Sequence, residues 1–447
     1  MRSVVGGVAT TDKREKWRRL IVGLVFLFFF VLIFEGVLRK WAFPRYQKFL
    51  FFMRDPIVLL IYFLALKYKF WPEKERIYSY AMFLAKTAIL LIAIQLLTTE
   101  ASLISLIYGW RMWFFYIPLA FIIGKTFTIG DIKKVMKWSL LIAIPMALLV
   151  LKQARSPVHS FINRTPEEDI FYSVSGRKGG DITRVTGTFT FFHSWQIYLG
   201  SIITFCLIFW LLPKRDRPMK IATLIIATGA VITSFAVDVT RLPTILAAVT
   251  WAGCLFSSTL IKNKTIRLRT WSMSFAIIIA GIFTVTSIFL YVHEKRAARF
   301  DKDYLEKRIT SMFVSGKSYF WRRPFFGVGI GSASRGGYVL GAGSTKSEHE
   351  WNNHISEAGM VFGLMYIAFR IALVLWLFRN AVRAARAADD PTPVILLAFS
   401  SPTILFWYLT TKGQVHAYGW LLAGLCIAAN RAGLERINMQ KNISHSA

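Results

Sequence analysis

The dominant pattern along the chain is an alternation of long apolar runs with short basic punctuation. An α-helix needs about 20 mostly apolar residues to cross the hydrocarbon core of a bilayer. Twelve such runs are legible, several of them short or interrupted: roughly 20–38, 55–70, 78–97, 103–124, 138–152, 196–213, 220–237, 242–260, 271–292, 357–378, 393–410 and 416–430. Unpaired backbone groups cannot face lipid, so these runs predict helices. The expected fold class is all-α, a single polytopic membrane domain over 1–447. Two long loops, 153–195 and 293–356, are expected to carry amphipathic helices and to lie on one side of the membrane.

Composition agrees. Apolar residues make up 55% of the 447 and charged residues 18%, with a mean hydropathy of +0.47. Soluble domains carry about a quarter charged residues, so a disordered tail protein, a coiled coil and an ordinary cytosolic enzyme are excluded. The net charge of +31 would point to nucleic acid on a soluble chain. Here the cations sit between apolar runs, so they are read as orientation signals and no nucleic-acid partner is expected. Cys206, Cys254 and Cys426 each lie inside an apolar run, without CxxC or metal-ligand spacing. The first apolar run is long and lacks an A-x-A site, which predicts a retained span rather than a cleaved signal.

The punctuation is asymmetric. Segment 1–19 holds six Lys/Arg; 67–76, 125–137, 214–220 and 261–269 hold four each; 379–387 and 431–441 hold three each. The intervening short segments 98–101, 237–241 and 411–416 hold none, one and one. This is the positive-inside pattern, and it predicts that both termini are cytoplasmic. The two long loops then face outward, together with six of the seven histidines. Loop 293–356 is itself rich in cations, with eleven Lys/Arg. Long loops cross membranes largely regardless of charge. The alternative reading is an outer anion site suited to phosphate or pyrophosphate.

Four segments carry candidate chemistry. Residues 39–54 (RKWAFPRYQKFLFFMR) read as an interfacial helix against the headgroups. Residues 301–322 space Tyr304, Leu305, Ile309, Met312 and Phe313 close to a helical face, which predicts an amphipathic helix. GVGIG at 327–331 lacks the strand and acidic partner of a nucleotide fingerprint, so it reads as a tight turn that brings backbone N–H groups to an anion. SEHEWNNHISEAG at 347–359 gathers Glu348, His349, Glu350, His354 and Glu357, groups able to act as a general base. Its spacing matches no standard zinc site, and the plain alternative is a solvated polar loop. Within spans, Arg111, Lys86 and Arg370 are ionisable and costly, as is Arg241 at a span head.

The order of these pieces resembles the O-antigen polymerase and O-antigen ligase superfamily of bacterial envelope glycosyltransferases, in its exopolysaccharide polymerase-like branch. The matching pieces are EGVLRKW at 35–41, RDP at 54–56, YGWRMWFFYIPLAFIIGK at 108–125, RVTGTF at 184–189, VTRLP at 239–243, PFFGVGIG at 324–331 and the Glu348, Glu350, Trp351, Glu357, Gly359 pattern. Two positions depart from it. Asn353 stands where an Arg often follows the Trp, and Glu348 stands where the ligases commonly have His.

The resemblance implies transfer of a glycan from an undecaprenyl-pyrophosphate carrier to an acceptor hydroxyl outside the inner membrane of a bacterium. It implies no cofactor and no metal, since arginines can carry the developing charge. Arg184, Arg241 and Arg308, assisted by Arg322 or Arg323, are assigned to the pyrophosphate. The base lies among Glu350, His349 and Glu348. Glu357 either orients the site or charges a helix N-terminus. Arg335 and His354 are expected on the acceptor side or in support. Membrane lipids, a chain-length regulator and a flippase are the partners implied. Ligation to another acceptor is the nearest alternative. Transport is a further one, in which Lys86 or Arg370 would matter more than the outer arginines, although no internal repeat supports it.

Overall fold

The computed structural model describes the chain except residues 1, 73–74, 167–172, 176–180, 239, 241, 273, 276–324, 335, 338–339, 341–348 and 447, and except the side chains of 2–12, 173–175, 181–182 and 436–446. The described chain is helical apart from one short hairpin. In order the helices are α1 (Arg2–Val37), α2 (Gln47–Leu50), α3 (Asp55–Lys67), α4 (Arg76–Thr98), α5 (Leu103–Phe114), α6 (Ile117–Thr126), α7 (Ile129–Arg155), α8 (Phe192–Leu211), α9 (Ile221–Val237), α10 (Leu242–Leu260), α11 (Glu350–Ala388), α12 (Thr392–Phe406) and α13 (Gly413–Ser446). Among the described residues, eight helical stretches are long and apolar enough to cross a membrane. The protein is thus an all-α, multi-pass membrane protein.

Several sequence expectations need adjusting. The stretch at 103–124 is two helices, α5 and α6, joined at Phe115 and Tyr116, with Pro118 in the first turn of α6. Pro suits that turn because its missing N–H has no intrahelical role there. The stretch read as 138–152 extends to Ile129, because Thr128 and Asp131 form a reciprocal capping box. The basic residues Lys133, Lys134 and Lys137 are therefore on helix α7 rather than in a loop. Helices α9 and α12, at 17 and 15 residues, are apolar but short, α9 at the lower end of the length a span needs and α12 below it. The apolar run at 271–292 lies almost wholly outside the described residues, as does the amphipathic segment 301–322. The described part of loop 153–195 holds a 3-10 turn at Phe161–Asn163 and a hairpin pairing Ser173–Ser175 with Asp181–Thr183. No amphipathic helix occurs among its described residues.

Residues 39–54 are the clearest departure. They form a π turn (Leu38–Ala42), a 3-10 turn (Pro44–Tyr46) and the short α2. The segment is thus not one helix; Phe43, Tyr46, Phe49 and Phe52 are exposed, as are Arg45 and Lys48, while Arg39, Lys40 and Arg54 are buried. The reason is Glu35, a carboxylate in the last turns of α1, which draws both guanidiniums inward. Arg39 Nη1 is 2.8 Å from Glu35 Oε1, and Arg54 Nε is 2.8 Å from Glu35 Oε2.

The basic segments gather at one pole of the bundle. Arg18 donates to the Thr126 carbonyl and to Asp131. Lys125 donates to the carbonyls of Lys69 and Trp71. Arg431 reaches the carbonyls of Lys125 and Phe127, Lys133 that of Asp216, and the Lys262 N–H donates to Asp389. Cations at helix C-termini satisfy the last carbonyls. Between the poles, α13 packs closely on α6 and α11. A Cβ on Gly124 would come within 2.3 Å of Ile427, and one on Gly433 within 2.7 Å of Ala384. Small residues let helices approach where apolar lipid offers no hydrophobic drive.

This arrangement makes a labelling prediction. With Cys206, Cys254 and Cys426 buried, single cysteines at Lys69, Lys214 and Lys262 should all react with an impermeant maleimide from one side of sealed vesicles. Cysteines at Glu100 and His159 should react only from the other. A split among the first three would contradict the shared pole.

Candidate functional site

At the opposite pole, α11 begins with the acidic and histidine-rich segment. The helix is broken at Gly359, whose φ of 78° interrupts it between rods 350–358 and 360–388. The break is forced by the chain packed against it: a Cβ on Gly359 would lie 2.0 Å from the Phe325 carbonyl oxygen. The carbonyls freed at the end of the first rod accept from the Gly-rich turn, Ser356 from Val328 N–H at 3.0 Å and Glu357 from Gly329 N–H at 3.2 Å. Gln95 of α4 clamps the junction, donating to the carbonyls of Phe326 (2.7 Å) and Glu357 (2.8 Å) and accepting from Ile330 N–H (3.0 Å).

The sequence predicts that this turn presents its N–H groups to an anion. The acceptor it meets is internal. Ala333 N–H donates to Glu357 Oε1 at 2.6 Å, and Trp113 Nε1 donates to Glu357 Oε2 at 2.9 Å. The remaining N–H groups of Val328, Gly329, Ile330, Ser332 and Ser334 are taken by protein acceptors. Glu357 is fully buried and fixes three elements, α5, the turn and α11. It is a positioning residue.

One turn earlier, the side chains that can do chemistry converge on Arg370, which is 0% exposed. Its Nη1 lies 3.5 Å from Glu350 Oε1 and bonds His354 Nε2. Its Nε donates to the Ile404 carbonyl at 2.5 Å and its Nη2 to that of Trp407 at 3.2 Å. An arginine stays protonated, so His354 Nε2 must be the lone-pair nitrogen, which leaves the proton on Nδ1. Nδ1 faces Thr410 Oγ1 at 3.5 Å. The imidazole is boxed by Trp113 and Tyr366, with ring centroids 4.9 and 5.0 Å away. His354 is therefore committed on every side and supports rather than reacts.

Glu350, 3% exposed, has two unequal oxygens. Oε1 accepts from Thr410 N–H (2.9 Å), Thr410 Oγ1 (3.0 Å) and Arg370. Among the described residues, Oε2 has one long contact, to Thr411 Oγ1 at 3.5 Å. The carboxylate is thus oriented through one oxygen and presents the other. His349 is partly exposed at the N-cap of α11.

Arg184 stacks on Phe192 at 4.8 Å, Phe192 on His193 at 3.9 Å, and His193 meets Trp407 and Tyr408 of the loop that holds Arg370. Arg184, Glu350, His354 and Glu357 are therefore brought to one pole. Glu348, Arg241, Arg308, Arg322, Arg323 and Arg335 lie outside the described residues. Among the described residues, no group of three or more His, Cys, Asp or Glu forms a metal-ligand set. Lys86 is exposed on α4 and takes no part.

Sequence reasoning read Arg370 only as an ionisable residue within a span and missed Trp113, Thr410 and Gln95. A signal for Arg370 existed. A guanidinium inside an apolar run needs a carboxylate, and the acids nearest along that helix are Glu350 and Glu357.

Comparison with protein-family models and with curated proteins returns no match.

Replacing Glu357 with Ala should cost about 3 kcal/mol of stability, because two buried donors lose their acceptor. Glu357→Gln should recover a large part, since its carbonyl still accepts. Thermal unfolding of the purified protein in detergent reads both. Equal stability of Glu357→Ala and the parent would contradict the positioning role.

Proposed function

We propose that the protein is a membrane glycosyltransferase that polymerises undecaprenyl-pyrophosphate-linked oligosaccharide repeat units into a cell-surface polysaccharide, working at the periplasmic face of a bacterial inner membrane. On this reading both termini are cytoplasmic, and a flippase and a chain-length regulator act beside it. The observation that most supports it is the buried Glu350, anchored through Oε1 by Arg370 and Thr410 with Oε2 left to accept a proton.

The reaction assigns each group a task. The acceptor sugar hydroxyl gives its proton to Glu350 Oε2 as its oxygen attacks the anomeric carbon of the donor. The bond from that carbon to the carrier's pyrophosphate oxygen breaks, and the pyrophosphate leaves with the bonding pair. A general base contributes typically 10²–10⁴-fold to such a step. Guanidiniums that meet the growing negative charge lower the barrier further. Arg184 is the described candidate for that role, with Arg241, Arg308, Arg322 and Arg323 assigned to it from the sequence. Arg370 works through Glu350. It fixes which oxygen is offered, and its positive charge offsets part of the cost of ionising a buried carboxyl group.

The test uses purified protein in liposomes, supplied with native undecaprenyl-pyrophosphate repeat units, with products resolved as a ladder on a gel. Glu350→Gln retains the Thr410 contacts and should fold, yet it should lower ladder formation by about 100-fold or more. Arg184→Ala should weaken it as well. An undiminished ladder in Glu350→Gln would remove Glu350 as base. Absence of any ladder in the parent protein, with transfer to a lipid A-core acceptor instead, would make the activity ligation.

A further inference from the structure

The side chains that link Arg184 to the loop between α12 and α13 have no part in the reaction above. They come from two segments. Phe191 precedes α8 and Phe192 and His193 open it, while Trp407, Tyr408 and Lys412 lie between α12 and α13. Each segment is seated by the residues beside it. Ser194 and Trp195 are buried, and Trp195 Nε1 donates to Asp238 at 2.9 Å. In the loop, Leu409 and Thr410 are buried. Leu409 sits so close to α13 that a Cβ on Gly419 would come within 2.4 Å of it. With those two turned into the bundle, Trp407, Tyr408, Thr411 and Lys412 stay half-buried, as do Phe191, Phe192 and His193.

Ring contacts make the two segments one surface. Phe192 and His193 are 3.9 Å apart between centroids, His193 and Tyr408 4.9 Å, His193 and Trp407 5.9 Å, and Trp407 and Tyr408 5.4 Å. Lys412 Nζ lies 5.1 Å from the Tyr408 ring and 5.4 Å from that of Phe191. The same loop carries groups that hold Glu350: Thr410 binds Oε1, and Thr411 Oγ1 is 3.5 Å from Oε2. Unbroken contacts therefore lead from Arg184 to the oxygen proposed as proton acceptor. A belt of aromatics at the headgroups is the plain alternative for such residues. A belt residue is turned outward, as Phe406 is at 57% exposure. Trp407 and Tyr408, next in sequence, turn instead toward His193.

We infer that Tyr408 and Trp407, continued by His193 and Phe192, are the surface on which the sugar ring of the acceptor lies. The inference rests on the glycosyl-transfer reading and gives its acceptor a subsite. A pyranose ring is amphipathic: its faces carry C–H groups and its rim carries hydroxyls. The weakly positive C–H groups match the negative face of an aromatic ring. The rim is then left to meet polar groups at the edge, and here the edge is Thr411 and Glu350 Oε2. Stacking also fixes the plane of the sugar, which the transfer requires, since the attacking hydroxyl must stay within hydrogen-bond reach of its base. Trp and Tyr suit the task because they offer a rigid, amphipathic area with only two side-chain torsions to fix. Arg184, 4.8 Å over Phe192, marks the donor end of the surface, and Glu350 the acceptor end.

The test is binding of the carrier-free repeat-unit oligosaccharide, released by mild acid from the native lipid-linked donor, to purified full-length protein in detergent. Saturation-transfer NMR reads it, because the method detects weak binding and shows which sugar protons touch the protein. Tyr408→Leu keeps an apolar side chain and removes the ring, and Tyr408→Phe keeps the ring. Phe192→Leu repeats the test on the second segment. The parent should bind saturably, with the ring C–H protons most strongly saturated. Binding should weaken about fivefold or more in Tyr408→Leu and recover in Tyr408→Phe, with the thermal unfolding midpoint and elution volume of the parent retained. No saturable binding to the parent, or binding equal in both leucine variants and the parent, overturns the subsite. Ladder formation on the same preparations separates the two claims. Sugar binding without any ladder keeps the surface and removes the transfer reading. A ladder that Tyr408→Leu leaves undiminished at every donor concentration removes the surface and keeps the reading.

Discussion

A guanidinium carried into the interior of a membrane protein must be matched by carboxylate or carbonyl oxygens, and the pole of this molecule that carries the site is organised by three such matches. Glu35 holds Arg39 and Arg54, Asp55 holds Arg111, and Glu350 holds Arg370. Each ties together segments that are distant in sequence. The first folds the connector after α1 back onto the bundle. The second joins α3 to α5. The third closes the Gly359 bend of α11 over the loop between α12 and α13, through the carbonyls of Ile404 and Trp407. Buried pairs of this kind add little net stability over apolar packing, but removing one partner is expensive. They act mainly to fix where each segment sits.

That positioning explains why the two oxygens of Glu350 differ. Thr410 and Arg370 occupy one oxygen, and the backbone that leads into Thr410 is itself held by Arg370 through the carbonyls of Ile404 and Trp407. Glu357 performs a similar service further along α11, with both its oxygens turned to Trp113 and the Gly-rich turn. Two carboxylates on one short rod therefore have opposite roles. One is locked for structure, and the other is half locked and offers an oxygen.

The sequence made the membrane class plain, because a run of apolar residues means the same thing in any context. It also made the polarity of the bundle plain: the segments with most Lys/Arg meet one another through Arg18, Lys125, Lys133 and Arg431. The acidic and histidine-rich segment before α11 was visible for its residue types. What was hidden depends on pairing across the chain. Residues 39–54 look like a single helix by composition, and only Glu35 shows why Arg39 and Arg54 turn inward. GVGIG looks like an anion loop, and only the position of Glu357 shows that the acceptor beside it is the protein's own carboxyl group. Arg370 looks isolated in its span because its partner Glu350 lies on the far side of a bend that only Gly359 announces.

The central claim is that Arg370, besides tying its segments together, orients Glu350 for proton acceptance. A double-mutant cycle tests it, with Glu350→Gln, Arg370→Met and both together, each measured for thermal stability and for polysaccharide ladder formation. Arg370→Met alone should destabilise, since it leaves a buried carboxylate uncompensated. The double variant should regain a large share of that stability, with no detectable ladder. A double variant that regains both the stability and the ladder would contradict the account, because the pair would then be a structural tie and the proton acceptor would lie elsewhere.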